Sequence, residues 1–184
     1  MDIILTALGS ADKIRRLMLS DPSQSINPLR LAKSRERIEG SLQIDTFERL
    51  QGDLIDNHGK LRFNLSFDFD ESGMCVVECE IDTQLTLECQ RCLKPVVIKI
   101  HKKSLLGLVK DKDEIDSLAK EYEPLQLDEE TISAKELIED ELLLAIPLSP
   151  LHSEEECGAK AVLDQINEDA KPKPFAALAA LKKK

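Results

Sequence analysis

Two cysteines separated by two residues are the feature of this chain most able to do chemistry. Cys89 and Cys92 lie in the stretch Cys-Gln-Arg-Cys-Leu-Lys-Pro, between an alternating apolar pattern and a run of cations. This spacing lets two thiolates bind one tetrahedral zinc ion. The redox alternative needs a helix that begins at the first cysteine, where its dipole lowers the thiol pKa. Because Pro95 and the alternating residues after it predict a strand, the sequence disfavours a thioredoxin-like oxidoreductase.

A complete zinc site needs two further ligands. The distant residues of suitable type and spacing are His152 and Cys157, which are separated by four residues. The sequence therefore allows a Cys-Cys-His-Cys site that holds a structural zinc ion. It also allows free thiols in a turn, with His152 and Cys157 in an acidic loop. Cys79 lies on the apolar side of its strand pattern, and we interpret it as a small core residue.

A run of cations follows the first cysteine. Between Glu88 and Asp111 there are six lysines and arginines and no acid, in a chain whose net charge is −10. Cations of this kind contact phosphates without reading bases, and the scarcity of aromatic residues argues against base stacking. The alternative is an ordinary solvated strand face. The candidate RNA-contacting residues are Arg91, Lys94, Lys99, Lys102 and Lys103.

Charge distribution restricts the class of protein. Residues 111–170 carry 4 cations against 19 anions, whereas residues 171–184 carry five lysines and no acid. A uniformly nucleic-acid-binding surface is therefore not expected, because phosphate contacts require Lys and Arg. A local basic patch, or an acidic face that meets a basic protein, remains compatible with this pattern.

Cellular location can be predicted from the cysteines and the apolar runs. Five cysteines in 184 residues are too few for a disulfide scaffold, and no basic segment opens a secretory signal. No apolar run approaches the roughly 20 residues of a membrane span. We therefore expect a cytoplasmic protein with free or metal-bound thiols and no membrane partner.

An alternating pattern predicts the sheet that positions the cysteines. Apolar and polar residues alternate over 61–70, then over 77–90, and again over 96–100. Three consecutive strands with short links predict an antiparallel meander. Since the middle pattern is unusually long for one strand, we expect a strongly curved, barrel-like sheet.

One strong helix is predicted near the C-terminal end of the chain. Ser133 and Glu136 form a capping box, apolar residues follow at helical spacing, and Pro147 ends the pattern. We expect this amphipathic helix to pack on the open face of the sheet, with Glu139, Asp140 and Glu141 mostly on its solvent side. The predicted fold class is therefore α+β.

The domain organisation follows from these elements. Residues 1–170 are predicted to form a single α+β domain, in which the segment 1–30 is poorly defined. Residues 171–184 are predicted to form a flexible basic tail. Catalysis has little support, because there is no Gly-x-Ser-x-Gly elbow and the histidines have no adjacent catalytic motif. We therefore expect a protein that is not an enzyme and has no small-molecule substrate.

Three separated blocks of the chain resemble the YceD family, whose members are called large ribosomal RNA subunit accumulation proteins. The first block is the Cys-x-Arg-Cys-Leu motif within residues 87–93. The second comprises Glu-Asp-Glu-Leu-Leu-Leu-Ala-Ile-Pro-Leu at 139–148 with the cysteine that follows, and the third comprises Pro-Phe-Ala-Ala-Leu at 174–178. The blocks occur in the family's order, and the resemblance extends from about residue 29 to the end.

The resemblance implies a non-enzymatic, cytoplasmic factor in large ribosomal subunit biogenesis, which supports processing or accumulation of 23S ribosomal RNA. The implied partners are large-subunit ribosomal RNA or a pre-ribosomal particle, and a basic ribosomal protein is the alternative. Phe175 and Leu178 in the tail are candidate partner-docking residues that would order on binding. The second hypothesis is a thiol- or zinc-dependent redox or metal protein centred on Cys89 and Cys92.

Overall fold

The computed structural model describes residues 15–17, 25–127, 129–160 and 164–166. These residues form a mixed α+β fold, which confirms the predicted class. Two single 3₁₀ turns lie between the third and fourth strands. The strands and helices are β1 (Arg15–Leu17), β2 (Ser25–Ile26), α1 (Pro28–Lys33), β3 (Glu36–Gln43), β4 (Leu54–Asp56), β5 (Lys60–Phe69), β6 (Cys75–Glu88), β7 (Pro95–Val109), α2 (Lys112–Ser117), β8 (Glu123–Gln126), β9 (Ile132–Ser133) and α3 (Ala134–Ala145).

A seven-stranded sheet organises the described part of the chain. Its order is β1-β3-β5-β6-β7-β8, and β4 pairs with β6 beside this path. The central strands β3, β5, β6 and β7 are antiparallel, whereas the β1–β3 and β7–β8 pairs are parallel. Strands β2 and β9 form a separate antiparallel pair. Within the described residues, no helix has the length and hydropathy that a membrane span requires.

The long strand β6 has two partners on one side. Its first half pairs with β5 from Cys75 to Asp82, and its second half pairs with β4 at Thr86 and Leu87. On its other side, β7 pairs with it from Val76 to Glu88. Two shorter strands therefore provide the hydrogen-bonding partners along one edge of this fourteen-residue strand, and the sheet does not close on itself to provide them. The described strands form an open sheet, so the barrel-like curvature predicted from the sequence is not confirmed.

The apolar side chains of the alternating patterns form the core. Leu61, Leu65 and Ile81 are almost completely buried on one face of the sheet, and α3 adds Ile138 and Leu142 to the same cluster. Burial of such side chains is the main favourable term in the stability of a fold of this size. The predicted contact between the sheet and the C-terminal amphipathic helix is therefore present.

Two acids of α3 lie on its buried side, contrary to the sequence-based expectation. Glu139 accepts a hydrogen bond from the Arg49 backbone N–H at 2.9 Å, and its carboxylate lies 3.3 Å from the Arg49 Nε. Glu141 is buried and lies 2.9 Å from the Lys102 Nζ. Each buried carboxylate thus has a cationic partner from another element, which is what burial of a charge requires.

Ser133 begins α3 as the sequence predicts, and its hydroxyl accepts a hydrogen bond from the Glu136 N–H at 3.3 Å. We expect Ser133→Ala to lower the free energy of unfolding by about 1 kcal/mol, because it leaves this N–H without its acceptor. Ser133→Asp retains an acceptor and adds a charge that the helix dipole favours. Chemical denaturation of both variants tests the cap, and equal losses for the two would contradict it.

Candidate metal centre

Cys89 and Cys92 lie in a closed six-residue loop between β6 and β7. The Cys89 N–H donates to the Lys94 carbonyl at 2.9 Å, and the Leu93 N–H donates to the Cys89 carbonyl at 2.8 Å. Leu93 has a φ of 56°, a left-handed conformation that is uncommon for a branched side chain. The chain therefore turns immediately after the second cysteine through a locally strained backbone conformation. No helix begins at Cys89, so the dipole that a thioredoxin-like thiol uses is not supplied here.

The Cys89 sulfur is surrounded by backbone donors. Burial by itself raises the pKa of Cys89, but the backbone N–H groups of His152, Arg91 and Cys92 donate to the sulfur and the net pKa falls to about 5. The His152 N–H lies 3.5 Å from the Cys89 Sγ. N–H donors stabilise the charged form of an acid, so the surrounding backbone favours the thiolate form of Cys89.

Cys92 shows the opposite shift. Burial raises its pKa, and hydrogen bonds with the sulfurs of Cys89 and Cys157 raise it further, while the Lys94 N–H acts against them. Several thiols that share one small volume cannot all ionise unless a cation is present among them. In the absence of a cation, the crowding of the sulfurs therefore favours the protonated form of Cys92.

The second chain segment of the site follows α3. The Gln90 N–H of the hairpin loop donates to the Pro150 carbonyl at 2.9 Å, which joins the two segments through the backbone. The Cys157 N–H donates to the Ser153 carbonyl at 3.1 Å in a tight turn, and the Cys157 side chain is buried. The acidic stretch in this turn therefore has a defined backbone that points its cysteine inwards.

His152 lies between the two segments, and each of its ring nitrogens has a neighbour within hydrogen-bond reach. Its Nε2 is 3.0 Å from the Pro95 carbonyl, and its Nδ1 is 3.3 Å from the Cys92 Sγ. A carbonyl can only accept, so Nε2 carries a proton, and Nδ1 is the ring nitrogen that faces the sulfurs. An imidazole whose far nitrogen is held by a backbone carbonyl is the usual arrangement of a metal-ligating histidine.

The structure brings all four sequence-predicted ligand residues together. One ligand atom from each of Cys89, Cys92, His152 and Cys157 lies within 4.8 Å of all the others. Cys75 and Cys79 belong to the core instead, and burial raises their pKa values to about 11 and about 12. The core assignment of Cys79 is thereby confirmed. The four-residue cluster could hold one tetrahedral metal ion, and we refer to it below as the Cys₃His cluster.

The five candidate RNA-contacting cations do not lie on one face. Lys99 and Lys103 are exposed on the outer face of β7, but Lys103 lies 2.9 Å from a Glu78 carboxylate oxygen. Lys102 is on the opposite, covered face, where it pairs with Glu141. Alternation along a strand separates neighbouring residues in this way.

Arg91, Lys94 and Lys99 remain as cations without an acidic partner among the described residues. Arg91 and Lys94 are part of the loop that holds the two cysteines. Lys99 lies near the start of β7, the strand that follows this loop. The other two candidate residues, Phe175 and Leu178, lie outside the described residues. We refer to Arg91, Lys94 and Lys99 as the loop cations.

Exposed apolar side chains near the Cys₃His cluster were not anticipated from the sequence. They occur on both chain segments that meet there, although large apolar residues are usually covered. Leu93 and Leu151 adjoin Cys92 and His152 in the sequence, but alternation assigns no face to residues in loops, and Val97 has the exposed parity of β7. These exposed residues are Leu93, Val97, Leu148 and Leu151.

The fold and the site together define a mixed α+β protein with three thiols and one imidazole gathered at the tip of a long hairpin. Residues 77–182, which include the whole Cys₃His cluster, match the family described as large ribosomal RNA subunit accumulation protein YceD. A protein of that name from Haemophilus influenzae is 32% identical over 166 residues, which cover 87% of this chain and 95% of the relative. The chain therefore belongs to the YceD family, as the sequence motifs indicate. No solved structure matches it.

Proposed function

We propose that this chain supports the accumulation of large-subunit ribosomal RNA, the process that names its Haemophilus influenzae relative. It would act in the cytoplasm as a non-enzymatic factor in large-subunit assembly, by contact with 23S ribosomal RNA in the pre-ribosomal particle. The observation that supports RNA contact is the surface group of loop cations, which no carboxylate neutralises among the described residues.

The loop cations suit phosphate contact better than the rest of the basic segment. Lys102 and Lys103 already have carboxylate partners at 2.9 Å, so they have less charge to offer a phosphate. Each cation that neutralises a phosphate releases counterions, which makes the affinity fall with salt. Contacts of this kind position an RNA backbone and do not select a sequence. The exposed apolar residues beside the loop would add area to the same contact.

The triple variant Arg91→Ala/Lys94→Ala/Lys99→Ala tests this proposal. With a labelled large-subunit ribosomal RNA fragment, we expect affinity to fall and the slope of log affinity against log salt to decrease by about 2 to 3, near one for each cation. The matched control is Lys33→Ala/Lys60→Ala/Lys120→Ala, which removes three exposed cations elsewhere. Fluorescence anisotropy at several salt concentrations provides the measurement.

The same variants can be compared in cells that depend on this chain. We expect the triple loop variant to lower the ratio of 23S to 16S ribosomal RNA, while the control variant restores it. Full restoration by the loop variant would contradict RNA contact through these residues. Salt-insensitive crosslinks to a basic ribosomal protein would instead favour the acidic part of the chain as the contact surface.

The tail is proposed as a second contact. Phe175 and Leu178 lie within 171–184, beyond the domain proposed for residues 1–170. A variant that ends at residue 170 is expected to keep its folded stability but to associate less with pre-ribosomal particles. Undiminished co-sedimentation of the truncated chain would remove the tail from the proposal.

A further inference from the structure

We propose that Cys89, Cys92, His152 and Cys157 bind one Zn²⁺ ion, which fastens the segment after α3 to the tip of the β6–β7 hairpin. The inference goes beyond the proposed function, because it concerns a metal centre and would stand even if the RNA contact were elsewhere. It rests on the arrangement of the four side chains and of the backbone around them.

The ligand set and its dimensions select zinc. Three sulfurs and one imidazole nitrogen form one of the usual donor sets of structural zinc, whereas magnesium and calcium require oxygen. With zinc–sulfur bonds of about 2.3 Å, neighbouring sulfurs of a tetrahedral site are separated by about 3.8 Å. The four ligand atoms lie within 4.8 Å of one another, so a bound ion would draw them together by small side-chain rotations. Four protein ligands leave no open position, which makes the site structural rather than catalytic.

The surrounding backbone is already arranged for a bound cation. Donors to the Cys89 sulfur come from the hairpin loop and from the His152 N–H. The Pro95 carbonyl orients the imidazole so that Nδ1 faces the sulfurs. Hydrogen bonds of this type, made to the ligands themselves, hold side chains in place at zinc sites. Free thiols in an ordinary turn have no need of this arrangement, which unites residues from two segments far apart in the sequence.

Two of the loop cations are placed to balance the negative charge that the zinc centre would carry. Three thiolates and one Zn²⁺ give the centre a net charge of −1, and Arg91 lies within its Cys-x-x-Cys loop. The Lys94 ammonium lies against the second segment, where a Cβ added at Gly158 would be 3.6 Å from Nζ. These cations lower the electrostatic cost of a negatively charged centre.

Metal analysis of the untagged full chain, purified under reducing conditions, tests the proposal. We expect one zinc ion per chain in the wild type, and less than about a tenth of that in Cys92→Ser and Cys157→Ser, since the loss of one ligand of four weakens metal binding strongly. Cys75→Ala is the matched control, because it removes a buried cysteine outside the cluster and should keep one zinc ion. Retention of stoichiometric zinc by both cluster variants would overturn the assignment.

Wild-type protein provides a second measurement that does not depend on the variants folding. X-ray absorption at the zinc edge is expected to show three sulfur neighbours and one nitrogen neighbour. Cobalt added to the apo-protein should give the visible bands of a tetrahedral ion and a thiolate charge-transfer band. Iron in place of zinc, a metal-free chain with a Cys89–Cys92 disulfide, or a shell of oxygen neighbours would each overturn the proposal.

Discussion

Lys102→Ala is expected to lower the free energy of unfolding by about 3 kcal/mol, because it leaves a buried carboxylate without its cation. Glu141 lies on the covered side of α3, where its carboxylate accepts a hydrogen bond from the Ser104 hydroxyl and lies 2.9 Å from the Lys102 Nζ. Glu123 approaches the same ammonium at 3.9 Å. Removal of the lysine therefore affects a buried network rather than one surface contact. Urea or guanidinium titration of the purified variant gives the loss directly.

The neighbouring residue supplies the control for this prediction. Lys103 also makes an ion pair, with a Glu78 oxygen at 2.9 Å, but its side chain is 59% exposed. An exposed pair contributes between roughly 0 and 1 kcal/mol, so Lys103→Ala should change stability little. The double variant Lys102→Met/Glu141→Leu removes both buried charges and is expected to recover most of the loss. Equal effects of Lys102→Ala and Lys103→Ala would contradict the buried network.

The difference between these two lysines affects function as well as stability. A lysine engaged by a buried carboxylate would have to break that pair in order to reach a phosphate. The contact surface we propose is therefore the loop cations Arg91, Lys94 and Lys99. A variant at Lys102 that lowers ribosomal RNA levels in cells would report reduced folded protein, which a measurement of its abundance would reveal.

Strand parity alone is enough to separate Lys102 from the other cations. It shares the parity of Ile98 and Ile100, whereas Lys99 and Lys103 have the opposite parity. This signal is present in the sequence because side chains alternate strictly along a strand, but the grouping of all five cations as one RNA-contacting set did not use it. The identity of its partner could not be predicted, since Glu141 lies 39 residues further along the chain on a helix whose rotation is set by packing.

The Cys₃His cluster could also be predicted only in part, because some of its features are local in the sequence and others depend on long-range contacts. Residue type and spacing were enough to name all four side chains, and alternation placed the first two at a hairpin tip. Their approach depends on backbone bonds between distant segments, such as the one from Gln90 to Pro150. The openness of the sheet was also beyond the sequence, because the long alternating pattern of β6 does not reveal that β4 and β5 share its edge.

Metal removal is expected to release the segment after α3 while the sheet stays intact. Structural zinc binding is worth on the order of 10 kcal/mol in small domains, whereas a backbone hydrogen bond such as the one from Gln90 to Pro150 contributes about 1 kcal/mol net. If zinc fastens the segment, chelation should speed amide exchange at Gln90, Cys157 and Lys160 by at least about a hundredfold, equivalent to about 2.7 kcal/mol.

The exchange experiment has its reference within the same chain. Amides of the β5–β6 ladder, for example where Leu65 pairs with Cys79, lie in the core and should keep their protection after chelation. Addition of Zn²⁺ should restore slow exchange at Cys157 and Lys160. Unchanged protection in chelated protein shown to be metal-free would mean that hydrogen bonds and packing alone hold the two segments together. In that case a bound metal ion would contribute nothing to the association of the two segments.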